Sequence, residues 1–382
     1  MRTLVAATWS MPPDTISSIQ SGLHPRLDYL ELAERLSADW VDYDSAAGLP
    51  ALRRLEDLLR LDLRLALEVA RRVRRMKYDV VLSLSERVGI PLAKLLGRRV
   101  QQAVILHHPL SRLKLRVLWL TGLHRRWRLM LCLSRAEAEA FKQALGLTDG
   151  EVQVLTTPVD VAFYRPDFSK KEPASEAHAA LPSRQASPAA APAESERADS
   201  EAPHILSLGL SYRDYPTLIA AMCQLPEIGC HIRAGSSWVY GRSGYEQETL
   251  PANVTSHPFV HPSVLRGVVR RSRFVVLPLQ PGTQWAAGCT SVQIAQAMGK
   301  AVIATRLPGL EDYVAHGETG LLVPAKDPAA LAAAIDRLWR NPAEAEQMGA
   351  RGRQRMVAEF SLDQWLERWA GLIQTLWSAL CG

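Results

Sequence analysis

Short apolar runs at residues 3–8, 80–83, 102–106 and 129–133 alternate with longer segments of helical periodicity, and no other feature constrains the fold of this chain more. Strands that read as continuous hydrophobic runs are those buried on both faces, and the helices between them supply the cover. The first half thus predicts strands at 3–8, 40–43, 80–83, 102–106, 129–133 and 152–156, with helices at 29–37, at 51–75 in one part or two, and at 89–96. The second half repeats the scheme. Strands at 204–208, 230–234, 254–257, 274–278, 301–305 and 321–323 alternate with helices at 215–223, 263–271, 290–298 and 328–340, and a long amphipathic helix at 360–380 ends it. The expected class is α/β, with two Rossmann-like doubly wound domains whose strand ends face one another across a cleft.

Between the halves, residues 169–203 read SKKEPASEAHAALPSRQASPAAAPAESERADSEAP, with Leu181 as the one large aliphatic and no aromatic residue. Such a composition buries too little apolar surface to offset chain ordering, so a disordered linker is expected. The domain reading is an N-terminal domain at 1–166, a linker at 167–203, a C-terminal domain at 204–358, and a helix at 359–382 crossing back to the first domain. Five cysteines without paired spacing argue against a disulfide frame or a zinc site and for a reducing compartment. The first apolar run is too short for a signal peptide, and no window reaches the roughly 18 to 20 apolar residues of a bilayer span. The expected address is the cytoplasm or the inner face of its membrane.

The net charge of +6 is modest, but between Leu110 and Met130 it is concentrated. Arg112, Lys114, Arg116, Arg125, Arg126 and Arg128 interleave there with Leu113, Leu115, Val117, Leu118, Trp119, Leu120, Leu123 and Trp127. This pattern fits either a core-packed helix with a solvated basic face or a segment lying on anionic lipid. No nucleic-acid-binding motif accompanies the charge, so nucleic acid is not an expected partner.

Several loops at predicted strand ends carry candidate chemistry. Gly288, Cys289, Thr290 and Ser291 open the helix at 290–298, where unpaired N–H groups and two hydroxyls make an anion site or an ordinary N-cap. The turn GLSYRDY from Gly209 to Tyr215 holds Tyr212 and Arg213; the guanidinium suits a diphosphate, or pairs with Asp214 at the surface. His107 and His108 follow a strand at the end that would line the cleft. Gly22 and Arg26 sit after the first strand, where close backbone approach and positive charge would suit an anion, unless the loop simply ends in an Asp28 helix cap. No P-loop, no GxGxxG after the first strand and no Ser/His/Asp arrangement is present, which argues against NTPase, dehydrogenase and hydrolase chemistry.

The segment AVIAT at Ala301, GETGLLVP at Gly317 and DPAAL at Asp327 resembles the donor-binding half of retaining glycosyltransferases of the family-four type, which have the GT-B fold. VLTTPVD ending at Asp160 with Phe163 and Pro166, Ser134, ILSLG from Ile205 and FVVLP from Phe274 are similar to further family elements. The resemblance implies metal-independent transfer of a sugar, with retention, from a UDP- or GDP-linked donor to a glycan, lipid-linked or small-molecule acceptor, as in bacterial-type glycan biosynthesis. No cofactor is implied beyond that co-substrate. Gly209, Tyr212, Arg213, Gly288, Thr290, Ser291 and Gln293 would bind the donor, with Gly22 and Arg26 across the cleft. His108 and Arg213 would act at the reacting centre. The family's two donor-site glutamates fall here on Ala286 and Ile294, an Arg of its first turn on Leu210, and Gln284, Gln293 or Gln296 would stand in for a carboxylate. That departure keeps two alternatives open: a non-catalytic sugar-nucleotide-binding scaffold of the same fold, and a GT-B sugar-nucleotide epimerase.

Overall fold

The computed structural model describes residues 2–12, 14–46, 50–107, 110–167, 202–234, 250–258, 260–282 and 287–381, with side chains as far as Ile373. Most of the expected linker lies outside these residues, as do His108, Gln284, Ala286 and the side chain of Trp377.

The N-terminal sheet contains β1 (Thr3–Ala6), β2 (Asp39–Val41), β3 (Val80–Ser83), β4 (Gln101–Leu106), β5 (Trp127–Cys132) and β6 (Val152–Val154). All neighbours are parallel, in the order β2-β1-β3-β4-β5-β6. The C-terminal sheet contains β7 (His204–Leu208), β8 (Gly229–Arg233), β9 (Val254–His257), β10 (Val275–Leu277), β11 (Val302–Thr305) and β12 (Gly320–Val323). Its order, β12-β11-β10-β7-β8-β9, is that of a dinucleotide-binding domain. Every residue of β1, β3, β7, β10, β11 and β12 is buried, as continuous apolar runs between two helical layers require. Each sheet reverses its winding once, between β1 and β3 and between β7 and β10, and the crevice at the carboxyl ends beside such a reversal is where ligands sit.

Local sequence explains where the helices begin. Ser85, Ser134, Asp214 and Asp327 cap the helices Glu86–Leu96, Arg135–Leu145, Tyr215–Met222 and Pro328–Arg340 with side-chain oxygens. The helix expected at 51–75 in one part or two is two, Arg53–Leu59 and Leu63–Arg75, because Arg60 takes a left-handed turn at φ 51°. Two differences from the sequence expectations have plain causes. Residues 15–20, expected as loop, form a short helix. A long helix, Pro342–Glu359, is absent from the sequence expectation because its sequence is largely polar; it packs through Met348 and Met356 and, at two glycines, by close backbone approach. A Cβ on Gly349 would lie 2.0 Å from the Gly299 carbonyl oxygen, and one on Gly352 would lie 3.1 Å from Cγ of Gln296.

The lobes share one hydrophobic core, in which Leu82, Leu131 and Phe163 meet Leu277, Val292 and Tyr313. Two crossover segments stitch them. Val159 N donates to the Phe360 carbonyl at 2.9 Å and Leu362 N to the Val159 carbonyl at 3.1 Å. The last helix, Leu362–Cys381, then packs on the N-terminal helix Asp28–Arg35, with Trp365 edge-on to Tyr29 at 5.6 Å and Arg35 bonded to Glu367 at 2.6 Å.

Candidate functional site

A cavity of about 620 Å³ lies between the lobes, at the carboxyl ends of both sheets. That is within the ordinary range for small-molecule sites.

Its C-terminal wall is built on two glycines. Gly209 leaves β7 at φ 98°, and Gly288 precedes the helix Cys289–Ala297 at φ 82°. Both conformations favour glycine. Between them Arg213 folds back under the turn. Its Nε donates to the Leu208 carbonyl at 2.7 Å, Nη1 to the Ser211 carbonyl at 2.9 Å, and Nη2 to the Ser291 hydroxyl at 2.8 Å. The chain reinforces this turn: Asp214 N donates to the Pro278 carbonyl at 3.0 Å and Gln280 N to the Tyr212 carbonyl at 2.9 Å. Burial pulls the Arg213 pKa down, against Tyr215 and Cys289, yet a guanidinium stays charged.

Helix Cys289–Ala297 has no side-chain cap, so its first N–H groups face the cavity. Thr290 is exposed there, and Ser291 is half-buried and held by Arg213. The arrangement presents amide donors, two hydroxyls and the positive end of a helix dipole at one point.

The expected residues do not all fall in the cleft. Gly209, Tyr212, Arg213, Gly288, Thr290, Ser291 and Gln293 line the cavity. Arg213 is neither an exposed clamp nor the partner of Asp214, whose carboxylate accepts instead from Thr217. It is 5% exposed, and three of its five N–H donors are used within the protein. Gln293 turns away from a ligand: its Oε1 accepts from the Thr157 hydroxyl at 3.0 Å, and its Nε2 donates to the Thr157 carbonyl. Gln296 is buried against Thr319, so neither amide replaces the carboxylate. Ile294 lines the cavity at the place of the family's second glutamate. Gly22 is not among the cavity residues; its N–H closes the end of the helix Thr15–Gln20 on the Ile19 carbonyl at 3.0 Å. Arg26 does reach the cavity, but it pairs with Asp363 at 3.1 Å, Asp160 at 3.7 Å and Glu31 at 3.8 Å, so its charge is largely balanced.

The N-terminal wall holds one group that sequence reasoning passed over, His24, beside Asp28 and His107, which it named. His24 lines the cavity with its Nδ1 2.8 Å from the Pro25 carbonyl and its ring 5.9 Å from that of His261 on the opposite lobe. Burial lowers its pKa, partly offset by that carbonyl and by Asp14. Asp28 is not the cap of its helix but its first residue. Burial pushes its pKa up to about 6, against a bond from the Tyr29 amide. His107 lines the same wall, its N–H on Glu86 Oε2 at 3.0 Å. In sequence His24 lay beside quoted candidates, yet only the fold places it in the cleft. Among the described residues no group of three or more His, Cys, Asp and Glu could hold a metal ion.

Comparison with known proteins places this geometry. Residues 217–341 match the family of glycosyl transferases group 1, and residues 31–163 match glycosyltransferase family 4. One match falls on each lobe of the fold, and together they cover much of both. Among solved structures, sucrose-phosphate synthase from Thermosynechococcus elongatus is similar at TM-score 0.70 and 19% identity over 99% of each chain. Anabaena HepE, solved with UDP and glucose, is similar at TM-score 0.68 and 15% identity over 98% of this chain and all of that one. Among curated proteins, D-rhamnosyltransferase WbpZ of Pseudomonas aeruginosa is 43% identical over 65 residues, which is 16% of this chain and 17% of that protein. The D-inositol 3-phosphate glycosyltransferase of an Arthrobacter species is 36% identical over 96 residues, 25% of this chain and 22% of that protein. The matched stretches thus span about a fifth of those relatives.

Proposed function

We propose that this protein transfers a sugar from a UDP- or GDP-linked donor to an acceptor hydroxyl, without a metal and with retention. The observation that carries the reading is the uncapped N-terminus of helix Cys289–Ala297, opening into the cleft with Thr290 exposed and Ser291 fixed by Arg213. A diphosphate there accepts amide and hydroxyl hydrogen bonds, and the helix dipole with the buried guanidinium stabilises charge that grows on the leaving group. Gly209 and Gly288 let backbone come close to that anion. The acceptor enters from the N-terminal wall, where His24, Asp28 and His107 supply polar contacts. HepE has been solved with UDP-glucose in a similar fold, which supports a nucleotide-sugar donor.

The test is calorimetric titration with UDP, GDP and ADP, followed by nucleotide release with candidate acceptors and NMR assignment of the product anomer. The double change Thr290→Ala/Ser291→Ala is expected to weaken nucleotide binding by about 1 to 3 kcal/mol per lost contact. Unchanged affinity would remove the helix start from the site, and an inverted product would refute retention. Ile294 at the carboxylate position favours one second reading, a sugar-nucleotide-binding protein without turnover. Tight nucleotide binding with no release under any acceptor would establish it.

A further inference from the structure

Helix Arg112–Thr121 buries one of its residues, Leu118. Leu113, Val117 and Leu120, at spacings of four and three, form a stripe that is 72, 42 and 74% exposed, and Trp119 beside it is 62% exposed. The segment packs on the core through Leu118 and Leu115, as one sequence reading allowed, but the opposite side of the helix is apolar as well as basic. A second helix adds to the same face. Lys114 Nζ donates to the Arg60 carbonyl at 2.9 Å, which sets the end of helix Arg53–Leu59 beside helix Arg112–Thr121. That helix exposes Leu55, Leu58 and Leu59, with Leu58 at 79%. Two neighbouring helices some fifty residues apart in sequence thus each expose bulky apolar side chains, and Arg53, Arg54, Arg60, Arg112 and Arg116 on and beside them are exposed too. Glu56, a carboxylate of the shorter helix, is turned inward onto Arg64 at 2.7 Å, leaving Asp57 as the exposed acid of the pair.

We propose that these two helices together dock the protein on an anionic lipid bilayer. Exposed Leu and Trp partition into the headgroup and acyl boundary, while arginines beside them meet lipid phosphates. The face also adjoins the cleft. Lys114 and Arg60 lie by Asp62, which pairs with Arg87 at 2.8 Å, and Arg87 lines a smaller cavity of about 250 Å³ that shares Trp9, Tyr29 and His107 with the main one. A docked bilayer therefore lies at the acceptor-side mouth. Resting on the glycosyltransferase reading, this makes the acceptor a lipid-borne hydroxyl.

Flotation of the full chain with phosphatidylcholine vesicles, with and without 30% phosphatidylglycerol, tests the docking. The expected result is co-flotation with anionic vesicles at low salt and release in high salt. Leu113→Ser/Leu120→Ser and Leu58→Ser/Leu59→Ser should each lower the bound fraction at least about fivefold, and Arg112→Glu/Arg116→Glu at least about tenfold. UDP affinity in every variant should equal that of the parent, which shows the fold is kept. Equal binding to neutral vesicles, flotation unaffected by the Leu58/Leu59 change, or no flotation together with sedimentation as a dimer would each overturn the proposal. Flotation is measured without nucleotide, so failure of the parent to bind either UDP or GDP would sink the transfer reading and leave the docking standing. Loss of flotation alone would do the reverse.

Discussion

Replacing Gly209 by alanine should disable the donor wall through Arg213. A Cβ at residue 209 would lie 2.2 Å from Nη2, 2.8 Å from Cζ and 3.0 Å from Nε of that guanidinium. Ordinary contact begins near 3.4 Å, so the group must move by about an ångström. Its bonds to Leu208, Ser211 and Ser291 are 2.7 to 2.9 Å long, and a shift of that size carries at least two of them past hydrogen-bond range. Two charge-assisted bonds at about 1.5 kcal/mol each, plus about 1 kcal/mol for an L-residue at φ 98°, give a destabilisation of about 4 kcal/mol. Denaturant unfolding reads that figure directly, and titration with UDP should show a loss of at least about tenfold as Ser291 comes free. A double-mutant cycle isolates the cause. In an Arg213→Met background the same glycine change should cost only the strain of about 1 kcal/mol. A cost of about 4 kcal/mol in that background would refute the argument, because the clash would then not run through the guanidinium.

Two further outcomes follow from buried polar groups. Glu137 is 1% exposed, and burial pushes its pKa up to about 8, only partly countered by the Leu133 amide at 2.9 Å. Its folded value exceeds its unfolded one, so the native state holds the extra proton. The associated stability is full below about pH 4.5 and falls as pH rises towards 8. Glu137→Gln should flatten that decline, and parallel unfolding curves for parent and variant across pH 5 to 8 would contradict it. Tyr313→Phe removes a hydroxyl that donates to the Leu133 carbonyl at 2.8 Å and accepts from the Thr157 amide at 3.1 Å, so thermal unfolding should fall by about 1 to 3 kcal/mol. An unchanged midpoint would show that this contact between the lobes is not needed.

The strands could be read in sequence because parallel strands covered on both faces are written as short apolar runs, and β3 was bounded to the residue. The helix Pro328–Arg340 announced itself through Asp327, whose carboxylate accepts from the Ala330 amide at 2.9 Å. Side-chain direction was not legible. Gln293 and Thr290 sit three residues apart on one helix, yet one is buried on Thr157 and the other is exposed in the cleft. Nothing local distinguishes an arginine aimed at a ligand from one that braces a turn; for Arg213 the answer depends on carbonyls before and a hydroxyl far after it. Helix Pro342–Glu359 escaped because its buried stripe is sparse, Ala345, Met348 and Met356 with glycines at 349 and 352 between them, which gives periodicity little to find. The N-terminal wall gathers His24 from a loop, Asp28 from the helix start after it and His107 from a strand end far along the chain, a convergence that the sheet order creates.

Val159 and Ser361 make a miniature parallel bridge where the chain passes between lobes in each direction. Two strands tied side by side resist being pulled apart but can twist, so the lobes are joined as by a torsion bar. Opening of the cleft should then be a rotation about this line, small at the bar and large at the rim. The far end of helix Leu362–Cys381 extends that bar along the N-terminal lobe, and trimming it would loosen the pivot while leaving both sheets intact.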